Sequence, residues 1–196
     1  VNKEWVATLD GFVNAQIRAQ VSGYLLKQVY TNGAFVRKGA PLFQIDPRPF
    51  QATLDQAKGN VEQAKGNLEQ ADGNLQVAQA RLGKTQLDVA RYTPLAKESA
   101  ISQQELDDAI QADLAAKAQV EANKAAIEAA KATIVAANAA VETAKLNLSF
   151  TSIVSPIDGV GAISTAQVGD LVGPQSGALT TVSTVDPIKA NFMASE

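Results

Sequence analysis

Two of the side chains that most often carry chemistry are missing from this chain: its 196 residues include no His and no Cys. Their absence removes the commonest general base, the thiolate nucleophile and most transition-metal donor sets. Of the carboxylates, Asp107 and Asp108 stand side by side. Neighbours on a helix point about 100° apart and cannot flank one substrate as acid and base, so they read as surface charge. Lys and Arg number 17 against 20 Asp and Glu, and no basic run exceeds Arg37-Lys38. A nucleic-acid partner would require clustered positive charge. Composition therefore points away from an enzyme, a metal site, a bound cofactor and nucleic acid. What remains is the chemistry of contact, which depends on the elements that hold contact residues in place.

Those elements are marked by uneven residue distribution. Nine of the ten aromatic residues lie outside positions 51–149, and Pro94 is the one Pro between Phe50 and Ser155, a pattern of helix interrupted once. No run of 18 or more apolar residues occurs, so nothing reads as a membrane span. From Leu54 a seven-residue repeat runs LDQAKGN, VEQAKGN, LEQADGN, LQVAQAR, LGKTQLD, VARYTPL. Leu54, Val61, Leu68, Leu75, Leu82 and Val89 take heptad position a, with Ala57, Ala64, Ala71, Ala78, Thr85 and Tyr92 at d. The pattern resumes with Leu106, Asp113, Val120, Ile127, Ile134, Val141 and Leu148 at a, and Ala109, Ala116, Asn123, Ala130, Ala137 and Ala144 at d.

The strict period predicts two antiparallel helices in a left-handed supercoil, and the small d residues let them approach closely. Gly59, Gly66 and Gly73 fall at the outward position f, where each costs roughly 0.5 to 1 kcal/mol relative to Ala. Drift on a solvated face and close approach of a neighbouring hairpin both fit them. Asp46-Pro47 supplies an N-cap and a Pro for the first helical position. Ser102-Gln103-Gln104-Glu105 is a capping box, and Pro94 pushes its predecessor out of helical geometry. About nine residues are then expected between helices that, at about 1.5 Å per residue, form a rod of about 65 to 70 Å.

The flanks repeat one another. Gln20-Val21-Ser22-Gly23 aligns with Pro156-Ile157-Asp158-Gly159, Gly33 with Gly169, Val36 with Val172, and Ile45-Asp46 with Val185-Asp186, the second half being longer around Pro174-Gln175-Ser176-Gly177. A half of about 30 residues buries little surface alone, so the two are expected to pair into one β-sandwich around the helical insertion.

AQVSGYLLKQVYTNGAFVRKGAPLFQID and SPIDGVGAISTAQVGDLV resemble the half-motifs of biotinyl/lipoyl domains. Their separation by a long helical hairpin resembles the periplasmic adaptor (membrane fusion) proteins of tripartite efflux pumps, particularly those serving resistance-nodulation-division (RND) transporters. LSFTSIVSPIDG at the return and Val185-Asp186-Pro187-Ile188 extend that resemblance over essentially the whole chain. It implies an α+β fold: a lipoyl-like β-sandwich formed by two sequence halves (15–46 and 150–186), interrupted by a long antiparallel α-helical coiled-coil hairpin (47–149). Residues 1–14 and 187–196 would be flanking strands of a truncated β-barrel domain, with Glu4 to Val13 and Ile188 to Ser195 as the strands themselves. The chain reads as a fragment of a longer protein, held in the periplasm and anchored to the inner membrane through a segment outside this sequence.

The same resemblance implies a function and a site. In such adaptors the hairpin tip carries an Arg, a Leu four residues on and a Ser seven further, which dock on a TolC-like outer-membrane channel; Arg91, Leu95 and Ser102 stand at that spacing. Arg bonds carbonyls or carboxylates bidentately, and Leu95 offers an apolar knob on a turn. Each also has a plain structural role, as a solvated helix-end cation, a turn-closing residue and an N-cap. Implied partners are an inner-membrane RND transporter, the channel and, as a homo-hexamer, further copies of the chain; the cargo would be drugs or other small amphipathic compounds. An adaptor of an ATP-binding-cassette or major-facilitator pump shares the architecture, and a cytoskeletal-type coiled-coil spacer is a further alternative. A biotinyl/lipoyl carrier domain would need its Lys in the tight hairpin joining the halves. That hairpin is replaced by the helices, and Lys27, Lys38 and Lys189 lie elsewhere. The 11 basic and 13 acidic residues from Pro47 to Ser149 are too balanced to name a partner.

Overall fold

The structure is a computed structural model that describes residues 7–192. Two compact units divide it, one holding the chain up to Leu54 and from Thr143 onward, the other Asp55–Glu142. In chain order, strands β1 (Ala7–Gly11), β2 (Asn14–Ile17), β3 (Gly23–Gln28), β4 (Phe35–Val36) and β5 (Pro41–Ile45) precede helix α1 (Arg48–Lys97). Helix α2 (Gln103–Ser149) is followed by β6 (Ser152–Val154), β7 (Gly159–Gly161), β8 (Leu171–Val172), β9 (Thr180–Ser183) and β10 (Ile188–Phe192).

The first unit is the expected sandwich, with strand orders β2-β9-β7-β4 and β6-β5-β3-β8. Each sheet takes two strands from either half of the repeat. Exchanging β2 with β6, β3 with β7, β4 with β8 and β5 with β9 converts one sheet into the other, so the sequence repeat is an approximate two-fold of the fold. Gly23 and Gly159 open β3 and β7, and Gly33 and Gly169 hold matching turns at φ 79° and 100°, a region that favours glycine. Val36 and Val172 are both buried. The alignment of Ile45 with Val185 is corrected by the pairing: Ile45 faces Leu25 and Val182 faces Gly161. Val182 is therefore the counterpart of Ile45, fully buried like it, while Val185 lies beyond β9 and is exposed. Strand register, not the shared Asp, decides which residue enters the core.

Leu25, Leu42, Phe43, Ile45, Leu179 and Val182 fill the interior. The Tyr30 ring meets Phe43 edge-on, with centroids 5.5 Å apart and planes at 82°. Its hydroxyl lies 2.8 Å from both the Ala162 carbonyl and Thr180 Oγ1. Burial raises the Tyr30 pKa, and the Thr180 bond opposes that shift. β1 and β10 form a separate two-stranded antiparallel sheet from Ala7↔Phe192 to Gly11↔Ile188. The outer residues of the two expected barrel strands, 4–6 and 193–195, lie outside the described residues.

Asp46 caps α1: its Oδ1 accepts from the Arg48 backbone N–H at 3.1 Å, and Pro47 sits in the first turn, its carbonyl accepting from Gln51. The hydrogen-bonded Arg48 guanidinium and backbone hold the Asp46 carboxyl below its usual range. In the second unit the heptad residues are buried or half-buried and the positions between them are mostly exposed. Thr85 Oγ1, 3.3 Å from Asp113 Oδ1 across the hairpin, fixes the register. Carried along by heptads, that register sets Ala78 opposite Val120, Ala71 opposite Ile127, Leu82 opposite Ala116 and Leu68 opposite Ala130. Small faces large in these layers, which keeps the helix axes close.

Pro94 does not end α1, contrary to the sequence expectation. The helix continues to Lys97, the Glu98 N–H bonds the Pro94 carbonyl at 3.1 Å, and residues 98–102 form the connection instead of about nine. Proline removes one backbone donor, that to Ala90, whose position is exposed and open to water. The Thr93 hydroxyl donates to the Val89 carbonyl at 2.7 Å.

Ala substitution at two glycines should give opposite results in chemical denaturation. At Gly66 an added Cβ meets nothing within 4 Å, so Gly66→Ala is expected to stabilise by about 0.5 to 1 kcal/mol. At Gly159 it would collide with the Ser183 carbonyl, and Gly159→Ala is expected to destabilise by about 1 to 3 kcal/mol.

Candidate functional site

The turn between the helices is built by two local motifs. At the end of α1, Ala100 N–H bonds the Leu95 carbonyl at 2.9 Å and Ser99 N–H bonds that of Ala96 at 3.1 Å, with Ser99 at φ 57°. This is a Schellman closure with Ser where Gly is usual. At the start of α2, Ser102 Oγ accepts from the Glu105 backbone N–H at 3.2 Å, and Glu105 Oε2 accepts from the Ser102 N–H at 2.9 Å. The capping box read from the sequence is present in both directions.

These motifs place the three tip residues differently. Arg91 and Leu95 lie one turn apart near the end of α1. The Arg91 side chain is 67% exposed, and its Nη1 is 3.8 Å from Asp88 Oδ1, a separation that leaves the guanidinium open to further acceptors. Leu95 is half-buried, with its carbonyl engaged by the turn. Ser102 is exposed across the connection, and its hydroxyl is committed to the cap. Arg91 and Leu95 thus stand together on one helix, while the Ser102 hydroxyl is engaged in the cap of the other.

Asp107 and Asp108 diverge as expected. Asp107 Oδ1 accepts from Gln103 Nε2 at 3.1 Å. Asp108 lines a shallow groove of about 250 Å³ with Asp88, Tyr92, Glu105 and Thr85. Of the lysines considered for cofactor attachment, Lys27 lies on β3 and Lys189 on β10, and the Lys38 backbone N–H is bonded to Asp158 Oδ1 at 2.7 Å. None stands in a tight hairpin between the halves.

One feature escaped the sequence reading. Asp113 occupies a core a position with its carboxylate 11% exposed, paired with Lys117 Nζ at 2.7 Å and facing Thr85. The signal was available as Asp at a and Thr at d in the same layer, a polar pair of the kind that sets register.

Among the described residues no group of three His, Cys, Asp or Glu could hold a metal, and no helix is long and apolar enough to cross a membrane. A sandwich of two interleaved halves is interrupted in sequence by a two-helix hairpin, whose turn carries an exposed Arg91 and a half-buried Leu95. The comparisons agree. Residues 67–151 match the family described as "RND MFP, alpha-helical hairpin domain". The chain is 39% identical over 175 residues to the multidrug efflux pump subunit AcrA of Escherichia coli K12, covering 89% of this chain and 37% of that protein. It is 34% identical to the efflux pump periplasmic linker BepD of Brucella suis, covering 98% and 42%. The crystal structure of MacA from Actinobacillus actinomycetemcomitans superposes with a TM-score of 0.75 at 26% identity, covering 97% of this chain and 55% of that one. Over the span it covers, the chain belongs to the membrane fusion proteins of RND-type efflux pumps. It spans about two fifths of the length of these curated relatives.

Loss of the cap separates the role of Ser102 from that of its neighbours. Ser102→Ala should cost about 1 kcal/mol and deprotect the first-turn amides of α2 in hydrogen exchange, whereas Ser102→Asp, which keeps an acceptor, should preserve their protection.

Proposed function

We propose that the protein is a non-catalytic periplasmic adaptor that links an inner-membrane RND transporter to a TolC-like outer-membrane channel for export of drugs or other small amphipathic compounds. It works as a ring of six copies held to the inner membrane by a segment outside this sequence. The observation that carries this reading is the hairpin turn, where an exposed guanidinium and a half-buried Leu stand one helical turn apart on a rigid stem. The names of the relatives, a multidrug efflux pump subunit and a periplasmic linker, support it.

In mechanical terms, the stem holds the tip at a fixed distance by packing small against large residues. Arg91 supplies directional bonds to carbonyls or carboxylates of the channel, and Leu95 adds apolar area that becomes buried on docking. The Ser102 cap keeps the turn in one conformation, so less ordering entropy is lost when the partner binds.

A photocrosslinking residue at Leu95, placed in the full-length protein in its own cells, should yield an adduct containing the outer-membrane channel. The same residue at Glu121 on the stem should not. Capture of no channel from Leu95, or equal capture from both sites, would contradict tip docking.

A further inference from the structure

An open groove of about 720 Å³ runs along one seam of the sandwich unit, between β2 and β6. Each of these strands ends its sheet order, so among the described residues no strand bridges the two sheets there. The groove straddles the approximate two-fold of the fold. By the spacing that relates Gly23 to Gly159, Gln16 corresponds to Ser152, Ile17 to Ile153, Arg18 to Val154 and Gln20 to Pro156, and all of these line it. The two halves agree in depth and differ at the rim. Ile17 and Ile153 are both buried and give the groove an apolar floor. The β2 side carries Gln16, Arg18 and Gln20, all exposed. The β6 side carries exposed Val154 and Pro156 with half-buried Phe150, and its polar groups are the hydroxyls of Ser149 and Ser152.

Arg18 is the one charged residue of the lining, and no Asp or Glu stands beside it there. Its Nη2 donates to Gln16 Oε1 at 2.9 Å, a neutral partner that steadies the guanidinium on the β2 side and leaves its charge unmatched. The remaining N–H donors form a planar fork suited to a carboxylate or sulfonate. A cation would find no counter-charge in this lining. Apolar walls with a few convergent polar groups, in a hollow of about 300 to 1,000 Å³, are the usual make-up of small-molecule sites. Strand addition by a peptide suits the seam less well. β2 has four residues and β6 three, below the usual strand length of about five to six.

We propose that the seam between β2 and β6 binds a small amphipathic anion, with its carboxylate or sulfonate on Arg18 and its apolar body against Phe150, Val154 and Pro156. The replacement of Val154 by Arg18 across the two-fold makes the groove one-sided, so the ligand's charged end is drawn to β2 and its apolar end to β6. Ile17 and Ile153 extend the apolar contact into the floor. The amides of Gln16 and Gln20 supply neutral hydrogen bonds beside the charged end. This site lies wholly within the sandwich unit and does not require the hairpin tip to meet a channel.

The test is equilibrium dialysis of the full-length protein against decanoate and against decyltrimethylammonium, each below its micelle concentration. Decanoate should bind and the cation should not. Arg18→Gln should weaken decanoate about tenfold, Arg18→Glu should turn the preference to the cation, and Val154→Asp should abolish anion binding. Lys27→Gln, on β3 outside the groove, should change nothing. Thermal unfolding should be unaltered in all four variants, because these side chains are exposed. In the protein's own cells, a photocrosslinking residue at Val154 should form no adduct with another polypeptide. The proposal is overturned by absence of decanoate binding, by equal binding of the cation, by decanoate binding that survives Arg18→Glu and Val154→Asp, or by a Val154 adduct with any protein, a second copy included, which would mean that chain covers the seam.

Discussion

The antiparallel pairing of β5 with β6 is the constraint on which the rest of the molecule depends. Phe43 faces Ile153 and Gln44 faces Ser152, and the Ile45 N–H donates to the Thr151 carbonyl at 2.8 Å. These bonds hold the residue before α1 beside the residue after α2, although about a hundred residues of chain run between them. Closing so long a segment costs little more than closing a short one, because the entropy grows only with the logarithm of its length. The two helices further reduce that cost by pairing with one another. A two-half sandwich can therefore carry a long antiparallel hairpin without either half having a complete core of its own.

Legibility followed periodicity. The heptad positions and the repeat of Gly23, Gly33 and Val36 in Gly159, Gly169 and Val172 depend on spacing alone, and spacing survives in sequence. The capping box was readable for the same reason. Pro94 was misread because its local cost is one lost backbone bond, and the structure accommodates that loss on an exposed stretch of helix. Val185 was misaligned because an apolar residue followed by Asp resembles the end of β5, whereas only strand pairing shows that Val182 enters the core. The Thr85–Asp113 layer was visible as two heptad letters. Its meaning required knowing that the two helices bring those letters opposite each other.

The candidate site was less legible than the fold. Nothing in composition distinguishes Arg91 and Leu95 from any exposed Arg and Leu, and their significance came from family resemblance. The structure adds a division of labour between them and Ser102. The Ser102 hydroxyl is spent on the cap, whereas on α1 the Arg91 side chain is exposed and Leu95 is half-buried.

The most direct measurement is export of a fluorescent dye from cells whose own copy has been replaced by the full-length protein carrying Arg91→Asp and Leu95→Asp, with protein abundance matched to the unsubstituted control. If the tip is the working surface, dye accumulates as in cells lacking the protein while the folded protein remains present. Undiminished export at matched abundance would contradict it, and would move the contact with the channel away from the hairpin turn.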